Sequence, residues 1–253
     1  MTSFTATDFN PGASPTLSTS AGRDWRFSFF EFCYTVRNAP PLDNGDNLKL
    51  KRGWLIVFEG IDGTGKSTQC QKMETRMREY GVPVVRLREP TDGAWGQKIR
   101  KILSDGRGAV TPKEELSWFT EDRREDVEKN ILPALRENKV VLLDRYYYST
   151  AAYQGALGLD PEAICRDNEA FAPVPDLAYL FIVPPEQCLK RIEQSRDGYS
   201  SFERLEYLVK VQNIFESFHG PHIRKVDGVS SPDVIHGQLF LEIDELIGLN
   251  KIK

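Results

Sequence analysis

Short apolar runs alternate along the chain with longer segments of helical character, beginning at Gly53. Three of these runs are apolar almost throughout, which is typical of strands buried on both faces of a sheet. Two shorter runs include charged residues. The five predicted strands cover residues 54–58, 84–87, 140–143, 177–183 and 223–226. Because helical segments separate the strands, the pattern predicts an α/β fold with a doubly wound parallel sheet of about five strands, flanked by helices.

The helical segments carry local start and stop signals. The predicted helices cover residues 66–80, 95–103, 111–136, 185–195, 202–218 and 231–249. Gly81 follows the first helix, where glycine favours the left-handed geometry that ends a helix. Thr111-Pro112 and Ser231-Pro232 each place a hydroxyl cap before a proline in the first turn. Pro133 predicts a kink near the end of the third helix.

Residues 1–47 show no helical or strand period and are rich in turn-forming residues. We therefore expect a poorly ordered N-terminal extension over residues 1–50 and one folded domain over residues 51–253. The extension could instead be a targeting or partner-binding segment, or the true translation start could lie downstream. Asp8, Asp24 and Glu31 argue against a transit peptide, so we favour a tail or a misassigned start.

Composition narrows the class of protein. The 253 residues carry a net charge of −4, which argues against a broad nucleic-acid-binding face. The four cysteines (Cys33, Cys70, Cys165 and Cys188) match no zinc or redox spacing and indicate reduced thiols. No stretch has the length and apolarity of a membrane span, and no secretory signal is evident. These features favour a cytoplasmic protein without membrane partners.

The strongest chemical signal follows the first predicted strand. Residues 60–67, Gly-Ile-Asp-Gly-Thr-Gly-Lys-Ser, match the phosphate-binding P-loop pattern between a strand and a helix. The glycines let backbone N–H groups surround phosphate oxygens, Lys66 supplies a charge to the β- and γ-phosphates of ATP, and the Ser67 hydroxyl suits Mg²⁺. The expected ATP-binding residues are Gly60, Asp62, Gly63, Thr64, Gly65, Lys66, Ser67 and Thr68.

Asp144 and Arg145 come directly after the third strand. The carboxyl end of a buried parallel strand lies beside the phosphate loop, where a carboxylate supports bound Mg²⁺. Arg145 can then contact a phosphate through two parallel hydrogen bonds. We therefore predict Ser67 and Asp144 as the metal site.

Together with three further segments, the P-loop resembles that of the thymidylate kinase family, which belongs to the P-loop nucleoside monophosphate kinases. The segments are Arg88-Glu89-Pro90-Thr91, Phe119 with Arg123, and Asp144-Arg145-Tyr146 with Ser149, Tyr153 and Gln154. The likeness extends from about Gly53 to Leu249. It implies a P-loop kinase domain, phosphoryl transfer from ATP–Mg²⁺ to dTMP, and a homodimer packed through helices.

The resemblance also implies roles for single residues at the base. Phe119 would stack on the thymine ring, and Arg123 would hydrogen-bond a thymine carbonyl. Thr150 and Gln154 would serve the edge of the base, where hydroxyl and amide groups both donate and accept.

The remaining implied roles concern the sugar and the phosphates. Tyr153 would occupy the space of a 2′-hydroxyl, and Asp62 would hold the 3′-hydroxyl. Arg88 and Glu89 lie in the loop that approaches the acceptor. Lys66, Arg145, Asp62 and an arginine of the lid would carry catalysis.

The chain departs from the family pattern at two places. The variable P-loop position is Thr64, so the lid should supply the basic residue, and Arg196 within the segment 191–204 is our choice. Trp95 follows an altered acceptor loop, where it either reshapes the acceptor pocket or simply packs.

Two other functions stay open from sequence. One is a kinase for another deoxynucleotide or for deoxynucleosides, in which Glu89 or Asp62 would act as the general base. The other is a P-loop module that binds nucleotide without catalysis, with the N-terminal extension as its partner surface.

Overall fold

The computed structural model describes residues 48–193 and 201–249. Five parallel strands form its sheet, in the order β2-β3-β1-β4-β5. The strands are β1 (Trp54–Glu59), β2 (Val84–Arg88), β3 (Val140–Asp144), β4 (Leu177–Ile182) and β5 (Ile223–Asp227). The predicted doubly wound α/β sheet is confirmed.

Helices connect successive strands. They are α1 (Lys66–Glu79), α2 (Ala94–Asp105), α3 (Pro112–Asp126), α4 (Leu132–Arg136), α5 (Tyr147–Gly155), α6 (Pro161–Glu169), α7 (Pro185–Glu193), α8 (Ser201–Ser217) and α9 (Pro232–Ile247). Their bounds confirm the predicted helices within a few residues, apart from the stretch 194–195, which lies outside the described residues. Helices α5 and α6 were not predicted from the sequence.

Both faces of the sheet are covered. Leu55 and Val57 of β1 belong to a core cluster that includes Ile131 and Phe215. Ile56 and Phe58 point to the opposite face, because side chains alternate along a strand, and they are fully buried as well. This double burial explains why the strands are nearly continuous apolar runs.

A wider, π-helical turn lies immediately before Pro133, where the sequence predicted a kink. A π-helical segment, Val127–Ile131, joins α3 to α4 without interrupting the helix. Pro133 cannot donate an N–H, and its ring crowds the carbonyl one turn earlier, so a wider turn immediately before it relieves both problems. Thr111 caps α3 as predicted, in a reciprocal pair of hydrogen bonds with Glu114.

Most of the predicted N-terminal extension, residues 1–47, lies outside the described residues, and so does Arg196. The last residues assigned to the extension contact the domain: the Leu48 N–H donates to the Gly81 carbonyl at 2.8 Å, and Leu50 is buried.

A bilayer-spanning helix is absent from the described residues, since no helix there is both long enough and apolar enough to cross a membrane.

The start of α2 depends on a glycine. A Cβ atom on Gly96 would lie 1.8 Å from the Thr91 carbonyl oxygen, whereas one on Gly237 of α9 would meet nothing within 4 Å. We expect Gly96→Ala to lower the free energy of unfolding by at least about 2 kcal/mol, because backbone must move. Gly237→Ala should raise it by roughly 0.5–1 kcal/mol. Urea unfolding of both variants measures this, and a Gly96→Ala variant as stable as Gly237→Ala would contradict the packing.

Candidate active site

The P-loop adopts a conformation that only glycine tolerates at several positions. Gly60, Gly63 and Gly65 have positive φ angles of 139°, 85° and 92°. Cβ atoms on Gly60 and Gly63 would lie 2.7 Å from the carbonyl oxygens of Phe181 and Cys188. The loop therefore lies directly against the end of β4 and the first turn of α7, and its last glycine, Gly65, is the N-cap of α1. This is the geometry of an anion-binding cradle.

Two side chains brace the loop from within. The Thr64 hydroxyl donates to the Ile61 carbonyl at 2.9 Å, and the Lys66 ammonium lies 3.4 Å from the same oxygen. Lys66 also pairs with Asp62 at 3.5 Å and is only 4% exposed. Burial, with the nearby Arg145 charge, lowers the pKa of Lys66 to about 8. The ammonium is thus a desolvated charge, ready to bind phosphate oxygens.

A cavity of about 570 Å³ opens above this loop. Its walls are residues 62–69, Arg191 and residues 228–232, so the exposed Ser67 and Thr68 line it. Arg191 of α7 donates to the carbonyls of Gly63 at 3.0 Å and Gly228 at 3.3 Å. From the sequence, Arg191 was expected only as the first residue of the lid segment. Its hydrogen bonds to Gly63 and Gly228, which lie in different walls of the cavity, were not predicted.

Arg145 connects the P-loop to α5. Its guanidinium donates to Asp62 at 2.6 Å, to the Gly60 carbonyl at 3.3 Å and to the Ser149 hydroxyl at 2.9 Å. The Tyr153 hydroxyl lies 3.5 Å away. Arg145 has φ of 74°, a left-handed conformation that is rare for a residue with a side chain. Backbone strain of this kind clusters at functional sites.

Asp62 is held ionised. The Arg145 guanidinium, with help from Lys66, holds the pKa of Asp62 below its usual range. Its carboxylate is more than half exposed, at the mouth of the P-loop. Asp62 is therefore available as an anionic hydrogen-bond acceptor.

Asp144 fits the role of a magnesium ligand. It pairs with Phe58 across β1 and β3, which brings it to the same sheet edge as the P-loop. Its side chain is buried, and one carboxylate oxygen, Oδ1, has no hydrogen-bond partner among the described residues. No group of three or more potential ligands occurs in the described part of the chain. A Mg²⁺ ion here would accordingly draw most of its ligands from phosphate oxygens and water, as is usual for this ion.

The residues expected at the base come together on two helices. Phe119 and Arg123 are one turn apart on α3, and Thr150 and Gln154 are one turn apart on α5. An Arg123 nitrogen donates to the Thr150 hydroxyl at 3.0 Å and so joins the two pairs. Phe119 is partly buried. The Arg123–Thr150 hydrogen bond thus brings the two helices that carry these four residues together, a contact that the sequence alone does not predict.

Gln154 is fully buried, and neither its amide oxygen nor its amide nitrogen has a hydrogen-bond partner within the described residues. An unpartnered buried amide is costly, and native proteins rarely retain one without a reason. A ligand with an adjacent acceptor and donor would satisfy both atoms.

The Arg123 guanidinium has further partners deep in the protein. It donates to one Glu89 carboxylate oxygen from both Nε and an η-nitrogen, and to the Asn168 side chain at 2.8 Å. Burial raises the pKa of Glu89, and the Arg123 charge opposes that shift. Glu89 therefore contacts Arg123 and supports it, whereas Arg88, the last residue of β2, is exposed.

Tyr153 lies between the site and the core. Its hydroxyl is near Arg145, while its ring packs edge-on against Phe215 and Tyr207. The Tyr207 hydroxyl also donates to the Tyr153 carbonyl at 2.9 Å. The ring is thus fixed in place beside Arg145.

Trp95 packs beside a second tryptophan through a shared lysine. The Lys98 ammonium lies 5.2 Å from the centroid of the Trp95 ring and 3.7 Å from that of the Trp118 ring. These contacts favour a packing role for Trp95.

Together, the parallel sheet, the glycine-rich loop after β1 and the acid–arginine pair after β3 define a P-loop protein of the nucleoside monophosphate kinase type. The sequence model of the family "Thymidylate kinase" matches residues 58–239. A thymidylate kinase from Desulfotalea psychrophila is 47% identical over 196 residues, covering 77% of this chain and 96% of the relative. One from Akkermansia muciniphila is 45% identical over 177 residues, covering 70% and 84%. The chain belongs to the thymidylate kinase family.

The buried Arg123–Glu89 pair yields a stability prediction. Arg123→Ala removes the buried hydrogen bonds to Glu89, Asn168 and Thr150, so we expect a loss of about 3–5 kcal/mol in the free energy of unfolding. The matched control is Arg124→Ala, which removes a half-exposed arginine that is 3.6 Å from Glu121. It should cost about 1 kcal/mol or less. Denaturant unfolding compares the two, and equal losses would contradict the buried pairing.

Proposed function

We propose that this enzyme transfers the γ-phosphoryl group of ATP to dTMP, yielding ADP and dTDP. One observation carries the proposal: Arg145 hydrogen-bonds both the P-loop, at Gly60 and Asp62, and α5, which carries Thr150 and Gln154. A phosphate-binding cradle and a base-binding helix therefore face each other across one arginine. Family membership supports the choice of acceptor.

The donor side is the cavity above the P-loop. The loop amides and Lys66 would hold the ATP phosphates, and the walls formed by Arg191 and residues 228–232 leave room for the nucleoside. Ser67 and Asp144 would hold Mg²⁺, which supplies charge neutralisation between the β- and γ-phosphates when bound.

The acceptor side is the space between α3 and α5. Phe119 offers a ring face for stacking, and the Gln154 amide offers a donor beside an acceptor, which matches the N3–H and O4 edge of thymine. Thr150 and Arg123 complete this edge. The ionised Asp62 is suited to accept a hydrogen bond from the 3′-hydroxyl.

The reaction would proceed in line. An oxygen of the dTMP phosphate attacks the γ-phosphorus, the bond to the β–γ bridging oxygen breaks, and ADP leaves with the electron pair. The attacking phosphate is already anionic, so no general base is needed. Lys66 and Arg145 would neutralise the transferring group, and we assign the same role to the lid residue Arg196. Arg88 would act near the acceptor. Glu89 would act there indirectly, by holding Arg123 in place.

Two further parts of the proposal concern the protein's compartment and its oligomeric state. The described cysteines (Cys70, Cys165 and Cys188) are all free thiols, which supports a reducing compartment such as the cytoplasm. Family membership supports a homodimer packed through helices.

The function is tested by ADP release with ATP–Mg²⁺ and a panel of acceptors: dTMP, dUMP, dCMP, dGMP, UMP and thymidine. We expect dTMP to give the highest kcat/KM, because it alone in the panel combines a thymine base with a 5′-phosphate acceptor. Lys66→Ala should lower kcat with dTMP by at least about 100-fold, through the loss of a charge on the transferring phosphate.

Other outcomes of the panel favour other functions. Preference for thymidine would indicate a deoxynucleoside kinase, and preference for another monophosphate would indicate a kinase for that nucleotide. Tight ATP binding without turnover of any acceptor would indicate a nucleotide-binding module.

Discrimination against ribonucleotides should depend on the Tyr153 ring. The informative pair is dUMP and UMP, which differ only in the 2′-hydroxyl. We expect Tyr153→Ala to lower the ratio of their kcat/KM values by about 10-fold, because the space of the ring becomes available. Tyr153→Phe keeps the ring and should keep the ratio. A ratio unchanged in Tyr153→Ala would remove Tyr153 from this role.

A further inference from the structure

We infer that Glu59, a buried residue outside the walls of the cavity above the P-loop, is the positioning residue for Arg145 in the phosphoryl transfer. This inference rests on the proposed function. Glu59 is the last residue of β1 and is fully buried. It is absent from the cavity walls, so it would act through other residues.

The two carboxylate oxygens of Glu59 accept hydrogen bonds from different groups. Oε1 accepts from the backbone N–H groups of Tyr146 at 2.8 Å and Ser149 at 3.2 Å. These are groups at the N-terminus of α5, which has no cap from its own N-cap side chain. Glu59 thus caps α5 by accepting hydrogen bonds from N–H groups that the helix itself leaves without a partner.

The other oxygen supports the arginine side chain. The Ser149 hydroxyl donates to Glu59 Oε2 and accepts from the Arg145 guanidinium at 2.9 Å. Because a serine hydroxyl has one proton, its donation to Glu59 leaves its lone pairs directed at Arg145. The chain Glu59–Ser149–Arg145 therefore restrains the guanidinium from the α5 side, while Asp62 and the Gly60 carbonyl restrain it from the P-loop.

The same carboxylate also stabilises the strained backbone. Arg145 has its left-handed φ of 74° between two anchors: its own N–H donates to the Phe58 carbonyl at 3.0 Å, and the next N–H, that of Tyr146, donates to Glu59. The residues that make these anchors, Phe58 and Glu59, are adjacent at the end of β1. Glu59 consequently restrains Arg145 through both its backbone and its side chain.

The test is a double-mutant cycle on the full chain with Glu59→Gln and Ser149→Ala. Glu59→Gln keeps an oxygen for the α5 amides and places an NH₂ group against Ser149. Ser149→Ala removes the hydroxyl link and leaves the backbone cap. With ATP and dTMP, we expect each variant to lower kcat by about 10- to 100-fold with little change in the KM for ATP, because a misplaced guanidinium weakens only the transition state. The double variant should cost no more than the worse single one, because both break one chain.

The matched control is Glu115→Gln, the same substitution at a buried carboxylate that pairs with Arg107 at 2.6 Å. It should lower stability and leave kcat unchanged. Wild-type kcat in Ser149→Ala, or additive losses in the double variant, would overturn the inference even if Glu59→Gln failed to fold. A loss of kcat in Glu115→Gln as large as in Glu59→Gln would also overturn it.

A second readout separates this inference from the proposed function. In protein labelled with ¹⁵N-arginine, the guanidinium signal of Arg145, assigned by its loss in Arg145→Lys, should show restricted rotation that Ser149→Ala releases. If the wild type does not phosphorylate dTMP but this release is observed, the proposed function fails and the positioning role stands. An Arg145 signal that is equally mobile in both proteins overturns the positioning role alone.

Discussion

The left-handed backbone of Arg145 is the constraint on which the rest of the site depends. A residue with a side chain adopts this conformation at a cost of about 1–3 kcal/mol. The strain is offset by hydrogen bonds from Arg145 to the Phe58 carbonyl, to Asp62 and to Ser149. In return, one residue at the end of β3 contacts the P-loop and α5 at the same time. The P-loop and α5, the helix that we propose to bind the base, are thereby fixed relative to each other.

The strand order makes this arrangement possible. β1 lies between β3 and β4, so the loop after β1 has the end of β3 on one side and the end of β4 on the other. Asp144 and Arg145 therefore reach the P-loop directly, and Gly63 can lie against Cys188 only because it lacks a side chain. Thr150 and Gln154, which we propose to bind the base, follow on α5, and Arg123 of α3 hydrogen-bonds Thr150. The buried ion pair with Glu89 holds Arg123 in place and so stabilises this link between α3 and α5.

Most features that depend on neighbouring residues were predictable from the sequence, and features that depend on distant contacts were not. The P-loop, the buried strands and the caps at Thr111 and Ser231 carry local signals, and the structure has them where they were expected. The helix α5 was missed because its cap, Glu59, is 87 residues away from Tyr146 in the sequence. The helix α6 was also missed, although Asp160-Pro161 is a local start signal. The partners of Arg123 and the bridge made by Arg191 required the three-dimensional structure.

The most direct test of this account is a crystal structure of the full chain with dTMP, ADP and Mg²⁺. We expect the thymine ring on Phe119, with both amide atoms of Gln154 hydrogen-bonded to its edge, and the Arg145 guanidinium on the phosphate of dTMP. Ser149 should still connect Arg145 to Glu59. A dTMP molecule bound away from α5, with the Gln154 amide still unpartnered, would contradict the account.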